Sequence, residues 1–276
     1  MKASEFHTTE WGRGLSEGDV LHILRQHEEN KSGGLAMKNN PKRSISRVVA
    51  PDGTRLILKE FKTPHFWSCG RRHAMRCIRS TGLMEGEGKL LPEAPQCRAH
   101  GAIPGSKGYF VVFGDCGEGS FFGEEYLSRG DIGDLYRECG RLLRAAHEAG
   151  RFHLDTKPAN FVLNERSSGE CPWRVCLVDC DNVREYSGAV PIGNRIRNLA
   201  QFLGGTGRLF HRDQSLWEEL ALSFQEGYED AGKTHPLPEG FWDAFWKYLL
   251  AGRHIECNLP LHCVDDSLKN LRKRLH

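Results

Sequence analysis

Eleven residues in the middle of the chain constrain its fold more than any other stretch: His153, Leu154, Asp155, Thr156, Lys157, Pro158, Ala159, Asn160, Phe161, Val162 and Leu163. Polar and chargeable groups crowd its first half, Pro158 excludes a helix interior, and the closing Phe161, Val162 and Leu163 read as a short buried strand. Ahead of it, DIGDLYRECGRLLRAAHEAG places Ile132, Leu135, Leu142, Leu143 and Ala146 at helical spacing, with Gly150 as a stop. Behind it, RVCLV is a second apolar strand across a polar hairpin, leading into Asp179, Cys180 and Asp181. A long core helix, a polar loop and a strand pair in this order hold a cluster of reactive groups on a rigid support.

The N-terminal half reads differently. From Gly33 to Phe61 the apolar residues alternate, with a turn at Pro51, Asp52 and Gly53, which predicts a three-strand antiparallel meander. A basic and aromatic stretch at 66–82 precedes MEGEGKLL, a helical piece ended by Pro92, and Tyr109 to Phe113 is a compact apolar strand. The glycine-rich run from Gly114 to Gly119 marks the expected boundary between lobes. Val20, Leu21, Ile23 and Leu24 suggest a helix ahead of the main domain. The chain is therefore expected to be α+β, with an N-terminal extension at 1–33, a small antiparallel-sheet lobe at 34–114 and a larger, mainly helical lobe at 115–276.

Composition narrows the classes of function. The 276 residues suffice for one or two domains, and 38 Lys and Arg against 36 Asp and Glu leave a formal charge of +2, which creates no global field for nucleic acid. No nucleic-acid partner is expected. Mean hydropathy is −0.52, and no run approaches the roughly 18 apolar residues of a membrane span. The segment MKASEFHTTEWGRG contains acids and has no apolar stretch of the signal-peptide kind, so a cytoplasmic location is expected. The ten cysteines form no CxxC pair and are read as reduced thiols. Neither Cys171, Cys176 and Cys180 nor Cys257, His262 and Cys263 has the spacing of a paired zinc knuckle.

The pattern HxDxKPxN followed by Val178 and Asp179 resembles the catalytic loop and metal-binding turn of the protein-kinase-like superfamily, and Lys59 in LILKEF occupies the place of its strand-three lysine. Phosphoryl transfer needs positioning and charge neutralisation rather than covalent help. Asp155 can accept the proton of an attacking hydroxyl, and Lys157 can place its ammonium on the moving phosphoryl group. Asn160 and Asp179 offer the hard oxygen ligands that Mg²⁺ prefers. Lys59 would hold the α and β phosphates of ATP, fixed by a glutamate: Glu87, Glu85 or neither. His153 is expected to stabilise the loop, and Asp181 either to restrain it or to add a metal ligand. The resemblance has departures. Cys180 and Asp181 replace the phenylalanine and glycine of D-F-G, no A-P-E follows, and no GxGxxG exists. In its place Asn39, Asn40, Pro41, Lys42, Arg43 and Ser44 either cradle phosphate through backbone amides and basic side chains or form a plain charged hairpin.

Over about residues 33–205 the chain looks like the bacterial lipopolysaccharide kinase family, the Kdo kinases and WaaP-type heptose kinases: V-D-C-D at the metal turn, a compact RNLAQFL segment and the basic RRHAMRCIRS stretch. This resemblance implies a two-lobed protein-kinase-like fold and transfer of the γ-phosphate of ATP, with Mg²⁺, to a Kdo or heptose hydroxyl of the lipid A core. It further implies a peripheral position on the cytoplasmic face of the inner membrane. Arg71, Arg72, Arg76 and Arg79 with Phe66 and Trp67 would face phosphates and headgroups or simply be solvated, as would the cationic tail from Leu268 to Leu275. FWDAFWKYLL is expected to be a packed helix. The alternatives are another small-molecule or glycan kinase, a protein kinase, or a pseudokinase binding module.

Overall fold

The strands RSISRVV and RLILKEF alternate side chains between two faces, and each face of the sheet they enter has its own helix. The computed structural model describes residues 6–7, 15–62, 70–84, 95–117, 119–120, 132–165, 173–207, 214–230 and 236–250. These fall into two compact units dividing after Cys116.

In the first unit, β1 (Phe6–His7), β2 (Lys38–Asn39), β3 (Arg43–Val49), β4 (Arg55–Phe61), β5 (Cys97–Ala102) and β6 (Tyr109–Gly114) form an antiparallel sheet ordered β1-β5-β6-β4-β3-β2. The meander is present, with its first strand reduced to two residues. Helix α1 (Glu17–Ser32) is started by a capping box, in which the Ser16 hydroxyl accepts from the Asp19 amide and the Asp19 carboxylate accepts from the Ser16 amide. Its apolar stripe, Val20, Ile23 and Leu24, packs on Val48, Leu56, Leu58, Phe110 and Val112. On the opposite face, α2 (Gly70–Gly82) buries Ala74 and Cys77 against Phe61, Tyr109, Val111 and Phe113. Both cores belong to one sheet because Leu58 and Phe61, or Val112 and Val111, sit on opposite sides of the same strand.

Helix α1 also completes the edge of β3. The Gln26 side chain donates to Val49 O at 3.0 Å and accepts from Val49 N at 2.9 Å, and Asn30 donates to Arg47 O at 3.1 Å. At its polar end, the fully buried His27 bonds Ser46 Oγ at 2.8 Å and Glu60 at 3.3 Å. His27, Glu28 and Glu60 converge closely enough to hold a metal ion, but the Lys31 ammonium lies 2.8 Å from Glu28 and 3.0 Å from Glu60, where such a cation would sit. Burial alone would raise the Glu60 pKa; the hydrogen bonds of His27 and Lys31 and the charge of Lys31 outweigh it and hold this carboxyl below its ordinary value.

In the second unit, the amphipathic helix α3 (Ile132–Glu148) and α5 (Gln214–Asp230) pack against each other. They approach so closely that a Cβ on Gly140 would run into Phe224 O and one on Gly227 into Arg137 O. Helix α4 (Ile192–Gly207) packs against α6 (Phe241–Leu250), which buries Phe241, Phe245, Trp246 and Leu249 as expected for a packed helix. Three short β-pairings complete the unit: β8 (Arg151–His153) with β11 (Val183–Glu185), and β9 (Phe161–Glu165) with β10 (Trp173–Leu177) and β7 (Gly119–Ser120). Among the described residues no helix is long and apolar enough to cross a membrane. The described cysteines are unbonded thiols, five of them buried; Cys171, Cys257 and Cys263 lie outside the described residues.

Candidate active site

The loop from His153 to Asn160 is built by the strands on either side of it. Register Phe161↔Leu177 in the β9–β10 hairpin places Asn160 opposite Val178, and Val178 N donates to Asn160 O at 2.8 Å. Asp179 is therefore one residue beyond Asn160's partner. Register His153↔Val183 brings the loop's other end against the turn that follows Asp179, where Leu154 N donates to Asn182 O at 3.1 Å. Asp155, Lys157, Asn160 and Asp179 are thus gathered in the second unit by one hairpin, β9–β10, and one long-range strand pair, β8–β11.

Individual geometry fits distinct chemical tasks. The Asn160 side chain, 5% exposed, donates through Nδ2 to Asp155 O at 2.7 Å, which leaves its oxygen as the outward donor atom. Asp179 has φ 57° and ψ 40°, the only non-glycine positive φ among the described residues, and it caps the 3₁₀ turn at Cys180–Asn182. Left-handed backbone costs a non-glycine residue about 1 kcal/mol or more and collects at functional sites. An amide oxygen and a carboxylate on adjoining segments are a donor set suited to Mg²⁺. Lys157 Nζ lies 2.5 Å from Asp155 Oδ2, both side chains about half exposed. An ion pair so exposed adds at most about 1 kcal/mol to stability. Asp181 is half-buried in the 3₁₀ turn.

His153 is 3% exposed and accepts the Asp155 amide at Nδ1, 3.1 Å away, which puts its proton on Nε2 beside the backbone of Val178 and Asp179. Burial lowers its pKa, and the nearby carboxylates of Asp155 and Asp179 only partly oppose that. The ring is a neutral support of the loop.

Sequence reasoning missed what holds this loop from below. Asn198 of α4 donates to His153 O at 2.7 Å, and its own carbonyl accepts from Thr156 Oγ1 at 2.8 Å. Gln201 of the same helix lies 3.2 Å from Thr156 Oγ1 and 3.4 Å from Leu154 O. The fully buried His147 links Asn198 Oδ1, at 3.0 Å, to the Tyr228 hydroxyl, at 2.8 Å. Its pKa falls to about 3, because burial outweighs the hydrogen bond to Asn198 and the charges of Arg195 and Arg144 add to the depression. The neutral ring donates to Asn198 and accepts from Tyr228. Phe161, next to Asn160, meets Phe202 edge-on at 4.8 Å, and Phe202 stacks on Phe224 at 5.0 Å. The only signal available was Asn198 and Gln201 at helical spacing inside RNLAQFL, among Leu199, Ala200, Phe202 and Leu203.

In the first unit, Lys59 is 5% exposed on β4, with Nζ 5.7 Å from the Phe61 ring. Glu85 and Glu87 lie outside the described residues, as do Phe66, Trp67 and the tail from 251 onward. Helix α2 carries exposed Arg71, Arg72, Arg76 and Arg79 and no acidic residue. The turn between β2 and β3 does not offer the backbone amides that one sequence reading gave it. Asn40 Oδ1 accepts from the amides of Lys42 and Arg43, each at 2.9 Å, and the Asn40 amide donates to Arg43 O at 3.0 Å. Pro41 has no N–H to give.

No family model matches the sequence, and no curated protein matches it either. Solved structures do match. WaaP in complex with acyl carrier protein aligns over 98% of this chain and 99% of that chain, with a TM-score of 0.52 at 15% identity. The fold is protein-kinase-like. Two further kinase-like structures align at a TM-score of 0.47. The Rio2 kinase–ADP/Mg²⁺–phosphoaspartate complex from Chaetomium thermophilum is 14% identical, over 94% of this chain and 78% of that one. The pseudokinase domain of BIR2, an immune regulator of the RLK/Pelle family, is 11% identical, over 98% and 89%.

Proposed function

We propose that this protein is an ATP-dependent kinase that phosphorylates a sugar hydroxyl, Kdo or heptose, of the lipopolysaccharide inner core. The observation that carries the reading is the second unit's constellation of Asp155, Lys157, Asn160 and Asp179 on a fold similar to that of WaaP. Mg²⁺ held by Asn160 and Asp179 would neutralise phosphate charge during transfer. Asp155 takes up the proton of the acceptor hydroxyl as the hydroxyl oxygen bonds to the γ-phosphorus and the bond from that phosphorus to the bridging oxygen breaks, releasing ADP. Lys157 offsets negative charge on the transferred group, and Lys59 holds the α and β phosphates, with Glu87 as the glutamate proposed to fix its ammonium. His153, Asn198 and Gln201 keep the Asp155 backbone fixed while this happens, which is the kind of positioning phosphoryl transfer depends on.

A small acceptor is favoured over a polypeptide by the chain length after the metal turn. Only a dozen residues separate Asp179 from α4, and they include β11, so little remains for a peptide-docking segment. The arginine face of α2 suits the phosphates of an anionic lipid, in keeping with a peripheral place on the cytoplasmic face of the inner membrane.

The test is transfer of γ-labelled phosphate from ATP with Mg²⁺ to purified Kdo-containing lipid A core and, separately, to a generic protein, by the wild type and by Asp155→Ala. Label on the lipid that disappears in the variant is the expected result. Label on protein alone would replace the reading with a protein kinase, and no label despite MgATP binding would replace it with a binding module.

A further inference from the structure

The turn between β2 and β3 is the segment that the sequence offers as a phosphate cradle, yet its amides are spent on Asn40 Oδ1 and Arg43 O. A polyphosphate held there has to be held by side chains. The strand register says which ones. Lys38 pairs with Ile45, and Ile45 pairs with Lys59. Residues directly opposed in an antiparallel sheet point to the same face, so Lys38 and Lys59 share a face with Ile45 between them. Neighbouring strands lie about 4.8 Å apart, which sets the two lysine Cα atoms roughly 10 Å apart, within the combined reach of two lysine side chains for one chain of phosphates. Arg43, paired with Phe61 two residues along β3 from Ile45, is on that face as well.

Three further features suit this face to a ligand. Helix α2 packs on its β4, β5 and β6 portion. Arg43, Ile45 and Arg47 remain half-buried, whereas Ser44, Ser46 and Val48 on the α1 side are buried. The hairpin is also fixed in place from the other side. Lys62 Nζ donates to Asn39 Oδ1 at 2.6 Å and to Asn40 O at 3.1 Å, and Ser44 Oγ donates to Lys38 O at 3.2 Å. Pre-organisation of this sort lowers the ordering cost of binding.

The geometry points to Lys38, assisted by Arg43, as a side-chain clamp for the β and γ phosphates of the bound nucleotide, replacing the glycine-rich loop's amides. Lys59 is left to the α and β phosphates. This rests on the kinase reading above, and calorimetric titration separates the two. Titrate ATP, ADP and AMP into the wild type, Lys38→Ala, Lys38→Arg and Arg43→Ala, without any acceptor. Lys38→Ala is expected to weaken ATP about tenfold, ADP less, and AMP within twofold, with the ATP loss shrinking at high salt and largely restored in Lys38→Arg. Arg43→Ala should show the same order with a smaller loss. ATP affinity unchanged in Lys38→Ala, or an equal loss for ATP and AMP, overturns the clamp and leaves the kinase reading standing. A wild type that binds none of the three nucleotides overturns the kinase reading itself. Lys38 is exposed, so its replacement is not expected to unfold the protein, and an unchanged melting temperature checks that.

Discussion

The β2–β3 hairpin and the loop from His153 to Asn160 both carry charged side chains around a proline, and they are secured in opposite ways. The hairpin is secured nearby in the sheet: Asn40 closes its own turn, and Lys62 from the adjoining strand end reaches back to Asn39 and Asn40. The loop is secured from more than forty residues away, by Asn198 and Gln201, with His147 and Tyr228 beneath them. A local device can fail without disturbing the rest of its unit, whereas a buried long-range network fails together with the packing around it.

The largest effect expected on this contrast comes from chemistry alone. Asp155→Asn keeps the loop's backbone bonds and removes the proton acceptor, so transfer should fall about 100- to 10,000-fold with the melting temperature unchanged. A matching loss of stability would show that the side chain supports the loop rather than acting on substrate. Asn198→Ala should cost about 2–4 kcal/mol in denaturant unfolding, because it strands His147 Nε2–H and His153 O in a buried site, and it should lower kcat with less effect on KM for ATP.

Acid provides the next test. His147 titrates near 6.5 in the unfolded chain and at about 3 when folded, so between those values the unfolded state binds the extra proton and stability falls as pH falls. The depressed pKa of His153 acts in the same sense. Unfolding free energy should drop by roughly 2 kcal/mol from pH 6.5 to pH 5, and His147→Phe should flatten that slope. A slope unchanged in the variant would place the acid sensitivity elsewhere. The smallest effect belongs to the hairpin. Lys62→Ala should lower stability by about 0.5–1 kcal/mol while weakening ATP more than AMP. An Asn198-sized loss of stability would erase the distinction between the two regions.

This division also explains how much the sequence disclosed. The Asp155–Asn160 spacing and the alternation from Arg43 to Phe61 are encoded over a few residues, and both were legible, as was the helix ended by Gly150, whose φ of 72° only glycine adopts readily. Asn198 and Gln201 were not, since nothing in RNLAQFL says which distant carbonyls those two amides will meet. Lys38 was invisible for a related reason. Its place beside Lys59 depends on strand pairing across Ile45, and register becomes evident only once the sheet is assembled. The crossing of α3 and α5 at Gly140 and Gly227 is equally a property of two helices that are distant in the chain.

Gln26 has one more consequence. By giving both halves of its amide to Val49, it occupies hydrogen-bonding positions past the two-residue β2, at which another molecule's strand would otherwise dock. Helix α1 thus caps part of the open edge of β3 as well as filling the core. A chain deprived of that side chain would leave the Val49 amide and carbonyl open at this edge, with Asn30 still on Arg47 O.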